Sequence, residues 1–495
     1  MVLTYKERCA IKKQSMSVKQ ELLTIVGEQN ITDVHVERKV YSHDLAPLPS
    51  EVAWLFKSTP DLVVKPRTKE QVSEILKIAN KYKIPVTPRG AATWGYGGAV
   101  PTKGGILLDL TGLDRILEFD RKSGLIKVEC GVVWQSLINL LEGSEWRLPV
   151  CPSSSPSSTV GGWAATGGLG YGSLKYGRFV DNVVQATVAL PSGEIVTIDK
   201  ISTPLTLEQA FSSEGILCIF LDLTLRLAPK PEAEEPFLAY FYQLQGALKA
   251  ANRVLELTKP DTLVLRAFGF LKARRDKPIK SIEDAESGAI LFGLYNGSKA
   301  EVEGWLKAFR DVALEFGGNV RPSREAWDEW NERFYPLRIK KWGPTVLTSD
   351  VLIPARALHD MILYSWKLGK ESGMDVELEA IFTSPEHVLY FPLFLSDERK
   401  PLKYLTHTAI TKKLIDEAVK HGGRSYGYGI WNSFHLKKSE PERKKELIRL
   451  KKQLDPNNIL NPGKTIEARS KFGLALPASL YSLFLDTLWV FGKVL

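Results

Sequence analysis

The stretch from Cys151 to Gly177, CPSSSPSSTVGGWAATGGLGYGSLKYG, is where residue types and spacing point most directly to chemistry. It holds seven glycines and six serines, and Lys175 is its one charged side chain. Glycine lets the backbone approach a ligand closely, and unblocked N–H groups then cradle phosphate oxygens. The same composition suits a linker. However, Val160, Trp163, Leu169 and Leu174 interrupt it, and the strand-like NVVQATVAL follows. The stretch therefore reads as an ordered loop around a large anionic cofactor. A second glycine-rich loop, AATWGYGGAVPTKGG, occupies 91–105. GGLGYG at 167–172 echoes GxGxxG, but it lacks the preceding strand and the long following helix that a Rossmann turn needs. GxxxxGK[ST] is absent, so the phosphates are held by another geometry.

Both loops need a framework. DLVVKP from Asp61 reads as a strand. TKEQVSEILKIANKYK reads as a helix capped by Thr68, with Val72, Ile75, Leu76 and Ala79 on one face. IPVTPRG, GILLDLTGL and KVECGV continue as strands, and Val18–Val26 has an amphipathic helical pattern. Residues 231–420 change character: helical LQGALKAANRVLELTK and SKAEVEGWLKAFRDVALEFG alternate with strands AILFGLY, VLTSDVLIP and VLYFPLFL. That pattern predicts an antiparallel sheet covered by helices.

The 495 residues exceed one core and imply two or more domains. Apolar residues at 44% and charged residues at 25% are ordinary for a globular enzyme. The net charge of +9 is spread out, with short clusters at Lys272–Lys280 and Lys437–Lys452, and nothing resembles a nucleic-acid module. Cys9, Cys130, Cys151 and Cys218 are far apart, which argues against a zinc site, an intrinsic iron–sulfur cluster or a disulfide framework. MVLTYKERCAIKK has no apolar core and does not read as a signal peptide. A reducing cytoplasm is the expected compartment, with peripheral contact to the inner face of a membrane as a further expectation.

PRGAATWGYGGAVP, GGILLDLTGLDRILEFD, CGV and PSSTVGGWAATGGLGYGSLKYGRFVDNVVQATVALPSGEI occur in that order. Together they resemble the FAD-binding domain of the vanillyl-alcohol oxidase/para-cresol methylhydroxylase superfamily. The D-lactate dehydrogenase/glycolate oxidase branch is the closer likeness, through FSSEGILCIFLDLTLRLAP, HGGRSYGYGI and LKKQLDPNNILNPGK. The resemblance implies an α+β protein with a two-part FAD-binding domain and an α+β cap. The expected divisions are an N-terminal segment 1–58, an FAD-binding domain 59–230, a cap 231–420, a C-terminal return 421–468 and an amphipathic tail 469–495. It places FAD against Pro88, Arg89, Gly90, Ala91, Ala92, Thr93, Gly95 and Gly98 in the first loop. In the second loop it implies Pro152, Ser153, Thr159, Gly161, Gly162, Thr166 and Gly167, with Gly172 and Tyr176 nearby. Ile219 and Asn461 complete the set. Neither histidine nor cysteine lies between Arg89 and Pro101, so FAD is expected to be non-covalent. Cys151, the one candidate for a thioether, reads better as a buried thiol.

The resemblance also implies oxidation of a small hydroxylated substrate, a 2-hydroxy acid such as D-lactate or glycolate favoured, by hydride transfer to flavin. Arg333, three residues after Trp330 in AWDEWNERF, matches the family's substrate-carboxylate arginine, a fork suited to a carboxylate. Its alternative is a surface helix arginine paired with Glu329 or Asp328. The branch's metal-binding H-x-G-D-G-N-x-H and GEHGIG segments are here EAIFTSPEH and SYGYGI. His387 and Tyr428, with Tyr426 and His435 beside them, become the candidates for base or proton relay. No catalytic metal is expected. The lost motif also suits a flavin subunit acting as electron conduit or scaffold beside an iron–sulfur partner, and a non-redox enzyme like alkyl-glycerone-phosphate synthase is a further alternative. In the tail, Leu480, Leu483, Phe484, Leu488 and Phe491 recur at helical spacing. They predict a helix docking on a membrane or a partner, or packing on its own domain, and the electron acceptor would be iron–sulfur or quinone.

Overall fold

The computed structural model describes residues 17–45, 59–269, 288–335, 339–340, 343–470, 475 and 477–492. Cys9 and the Lys272–Lys280 cluster lie outside them. The fold is mixed helix and sheet. In the first part Leu62–Val64, Ile106–Asp109 and Val86–Arg89 form a parallel sheet, with Ile31–Thr32 antiparallel at its edge. The helix Lys69–Tyr82 connects two of these strands as its periodicity predicts. Thr68 accepts from the Gln71 N–H, and Val72, Ile75, Leu76 and Ala79 are buried. Helical residues 17–26 pack Val18, Leu22 and Val26 into the same core.

A second, antiparallel sheet runs Ile116–Asp120, Leu125–Glu129, Ile219–Arg226, Val183–Ala189, Ile195–Ile198 in spatial order. Both sheets share one core with the second glycine-rich loop, through Trp134, Val160, Trp163 and Phe179. The chain returns to this core at its far end. Pro441–Leu454 buries Leu447 and Leu450. The Val86 N–H donates to the Ile459 carbonyl at 2.8 Å, and the Asn461 N–H donates to the Val86 carbonyl at 2.7 Å. The segment Ile459–Asn461 thus lies along the strand that launches the first loop.

The cap is an antiparallel sheet of nine strands among the described residues, with Ala233–Phe241, Ala289–Gly297, Thr262–Gly269, Val376–Ser384 and His387–Ser396 adjacent in that order. Period-2 alternation divides its faces. Leu263, Leu265 and Ala267 meet the covering helices, whereas Val264 joins Ile290, Phe292 and Tyr171 on the side of the second loop. Arg266, on the same strand, is fully buried and ion-paired to Glu379 at 2.7 Å, Glu377 at 3.5 Å and Glu329. The segment predicted as one strand, VLTSDVLIP, is two: Thr345–Leu347 and Val351–Pro354 both pair with His387–Ser396, and Thr348, Ser349 and Asp350 form a break between them. The tail forms a helix, Ala478–Gly492, packed on the cap helices Pro401–His407 and Ala409–Lys420. Among the described residues no helix is long and apolar enough to cross a membrane.

Candidate active site

The first loop leaves the parallel strand at Arg89, and the second opens into a short helix, Val160–Thr166, whose Thr159 side chain accepts from the Gly162 N–H at 3.2 Å. The two loops meet tightly. A β-carbon on Gly90 would lie 2.5 Å from the Thr159 hydroxyl, and one on Gly161 would lie 2.5 Å from the Cys130 β-carbon. The glycines are required by this approach. Between the loops and the cap lies a cavity of about 730 Å³.

Its lining includes Pro88, Arg89, Gly90, Ala91, Ala92, Thr93, Gly95 and Gly98 from the first loop. Pro152, Ser153, Thr159, Gly161, Gly162, Thr166 and Ile219 join them from the second loop and the strand beyond. Backbone of this kind, with open space beside Gly98, fits an extended dinucleotide. Arg89, whose guanidinium donates to the His43 carbonyl at 2.7 Å, places a cation on this wall.

Gly167, Gly172, Tyr176 and Asn461 lie outside the lining. Gly172, at φ +84°, donates its N–H to the Thr262 hydroxyl at 2.9 Å, and Tyr176 packs under the Arg147 guanidinium, so this end of the loop docks on the cap. Gly167 turns the chain at the end of the short helix, at φ +113°. Asn461 belongs to a buried polar network behind the cavity. Its side-chain N–H donates to the Glu214 carbonyl at 2.8 Å, and Lys464 donates to Asn461 and to the Gly98 carbonyl at 3.0 Å. The Glu214 carboxylate accepts from the N–H groups of Tyr428 and Gly429, both at 2.7 Å, and from the Thr465 hydroxyl at 2.6 Å. Burial lowers the Lys464 pKa to about 7. The network pins the first loop to the returning chain.

The three residues expected to do chemistry lie elsewhere. Arg333 is sandwiched between the Trp330 and Phe334 rings, each 4.0 Å from its guanidinium, and donates to the Trp330 carbonyl at 2.7 Å. Neither Glu329 nor Asp328 pairs with it; Glu329 is taken by Arg266. The Tyr428 hydroxyl is bound to Glu440 and Ser439. His387 stands exposed at the start of a hairpin strand, its ring 3.3 Å from the Ser384 hydroxyl. None of the three lines the cavity. His435 is buried apart from it as well, whereas Tyr426 does line it.

Instead, the strand break delivers Asp350. This carboxylate is 7% exposed and lines the cavity. The Thr348 hydroxyl donates to it at 3.0 Å, its own N–H donates to the Tyr96 hydroxyl at 2.7 Å, and Trp94 lines the cavity with it. Burial raises its pKa to about 6, within the range of a general base. Tyr426 donates its N–H to the Asp350 carbonyl at 2.8 Å and sets its ring edge-on to Trp94. Among the described cap residues lining the cavity, Asp350 and Lys340 are the charged ones. Cys151 is absent from the lining, while Cys130 and Cys218 line it as buried thiols, that of Cys218 pushed by burial to about 12. Among the described residues no three His, Cys, Asp or Glu side chains are grouped to hold a metal ion.

Residues 60–199 match the family described as FAD binding domain, and residues 230–465 match FAD linked oxidases, C-terminal domain. The chain is 27% identical to a glycolate oxidase subunit GlcD of Bacillus subtilis, over 90% of this chain and 96% of that protein. It is 28% identical to a D-lactate dehydrogenase of Anaerostipes hadrus, over 86% of this chain and 92% of that one. Among solved structures it superposes on p-cresol methylhydroxylase with a TM-score of 0.79 at 20% identity, covering 92% of this chain and 97% of that one. An alkyldihydroxyacetonephosphate synthase gives a TM-score of 0.71 at 20% identity, covering 90% and 85%. These structures share the fold. Both halves of the cavity thus lie within matched families, and the chain belongs to the FAD-linked oxidases, as an FAD-dependent oxidoreductase of the branch that holds the glycolate oxidase and D-lactate dehydrogenase chains.

Proposed function

We propose that this enzyme oxidises a small 2-hydroxy acid, of the D-lactate or glycolate class, and that its electrons leave to a separate acceptor, an iron–sulfur partner or a quinone. The observation that carries the reading is Asp350, a buried carboxylate on the cavity wall opposite the glycine-rich loops. FAD, when bound along the loops, supplies the two-electron acceptor. Asp350 takes the substrate hydroxyl proton, and the Thr348 hydroxyl donating to it fixes the carboxylate's orientation. Lys340 faces the same cavity from the cap and pairs with the substrate carboxylate. The Trp94, Tyr96 and Tyr426 rings exclude water around Asp350. With buried thiols and no histidine lining the cavity among the described residues, FAD is held without a covalent bond.

An anaerobic absorbance spectrum, recorded before and after adding D- and L-2-hydroxy acids, tests this. Bleaching by one of them, with free flavin released on acid precipitation, is the expected result. A yellow protein that ignores every hydroxy acid but bleaches with a plain alcohol would overturn the substrate class.

A further inference from the structure

The helix Ala478–Gly492 is predominantly apolar. Its single charged residue, Asp486, turns to the cap and pairs with Lys412 at 3.1 Å and Lys413 at 2.8 Å, and Leu485 is buried beside it. The outward side is mainly apolar: Leu480, Leu483, Phe484, Val490 and Phe491 are 62, 62, 42, 64 and 60% exposed, with the exposed Ser479 and Thr487 as its polar members. Their spacing puts them on one side of the helix. Leu402 is 70% exposed on the helix Pro401–His407, which packs against this one. A contiguous apolar patch of this kind left in water marks an interaction surface.

The elements packed against this helix are rich in exposed cations. Lys400 and Lys403 flank Leu402, and Lys437 and Lys438 follow the turn Ser433–His435 that touches the helix. Of the nearby carboxylates, Asp397 is held by Arg399 at 2.8 Å and Asp416 by Lys412 at 2.6 Å and Lys438 at 3.0 Å, so that Glu398 stands against Lys400, Lys403 and Lys437. An apolar face edged by lysines matches an anionic bilayer, whose acyl boundary takes the former and whose headgroups take the latter. At 15 residues the helix is too short to span, so it would lie in the interface.

The position of the cavity adds to this. Leu480 and Phe484 line the cavity and are also exposed, and Tyr481 and Leu485 line it from the same helix, Tyr481 with its ring edge-on to Phe434 at 5.0 Å. The mouth of the cavity therefore opens beside the apolar patch. We infer that the Ala478–Gly492 helix and Leu402 seat the enzyme on an anionic lipid surface, with the cavity mouth turned to the acyl region. A lipid-dissolved molecule then reaches the cavity without crossing water.

The test is flotation of the full-length, FAD-loaded protein with phosphatidylcholine vesicles, with and without phosphatidylglycerol. Binding should require phosphatidylglycerol and weaken with salt. The double variant L483E/F491E, which alters residues outside the cavity lining, should lower the affinity at least about tenfold at an unchanged melting temperature. K400E/K403E/K437E should do the same and remove the salt dependence. Wild-type protein that floats with neither vesicle overturns the proposal, as do variants that bind like wild type. So does an oligomer or a co-purifying protein lost in L483E/F491E when the wild type ignores vesicles, because the face then belongs to a protein.

Discussion

Replacing Asp350 by asparagine removes the titrating group and keeps its size. Burial raises this carboxyl from an ordinary 3.8 to about 6. Between those values the folded protein binds the proton more tightly than the unfolded chain. The contribution to stability is thus complete below the unfolded pKa and is lost as pH rises through the folded pKa. The whole gap corresponds to about 3 kcal/mol. Of this, about 1.4 kcal/mol disappears between pH 5 and pH 8. Guanidinium unfolding of wild type and D350N at those two pH values should show that D350N is spared this loss, so its stability relative to wild type improves by about 1.4 kcal/mol on going from pH 5 to pH 8. The same variant should slow flavin reduction by the bleaching substrate about 10²–10⁴-fold and remove the limb near pH 6 from the rate profile. An identical pH dependence of stability in the two proteins would refute the burial argument. A D350N enzyme that keeps wild-type reduction rates would show that another group takes the proton.

Two further substitutions probe the framework of the cavity. A β-carbon on Gly427 would collide with the Trp94 indole, which lines the cavity, so G427A should destabilise the protein by about 1–3 kcal/mol in thermal unfolding and weaken FAD retention on gel filtration. Lys464→Met takes the donor from the Asn461 side-chain oxygen and leaves the Gly98 carbonyl with the Asn461 N–H alone, at 3.2 Å, and FAD affinity measured by flavin fluorescence should fall about tenfold.

The sequence by itself determined what is local. The glycine-rich loops were legible because a backbone that must approach a ligand closely requires runs of glycine. Pro88–Gly98 and Pro152–Thr166 accordingly supply most of the cavity lining expected of them. The helix Lys69–Tyr82 was legible because its cap and apolar face lie within one short window. Only the tertiary structure decided the chemistry of the cap. Asp350 meets Trp94 and Tyr96 across more than 250 residues of chain, and it enters the cavity because the pairing of VLTSDVLIP with His387–Ser396 breaks at Thr348–Asp350. The polar trio Thr348, Ser349 and Asp350 inside that segment signalled a turn, but nothing local said which loops the turn would face. The three residues named from motif position went elsewhere for packing reasons. Arg333 found two aromatic faces, the Tyr428 hydroxyl found Glu440, and the hairpin carried His387 into solvent. The tail's helical spacing was readable, but which side faced outward was not. That was settled by Asp486 finding Lys412 and Lys413 on the cap, since a charge that gains two partners turns the apolar side to the outside.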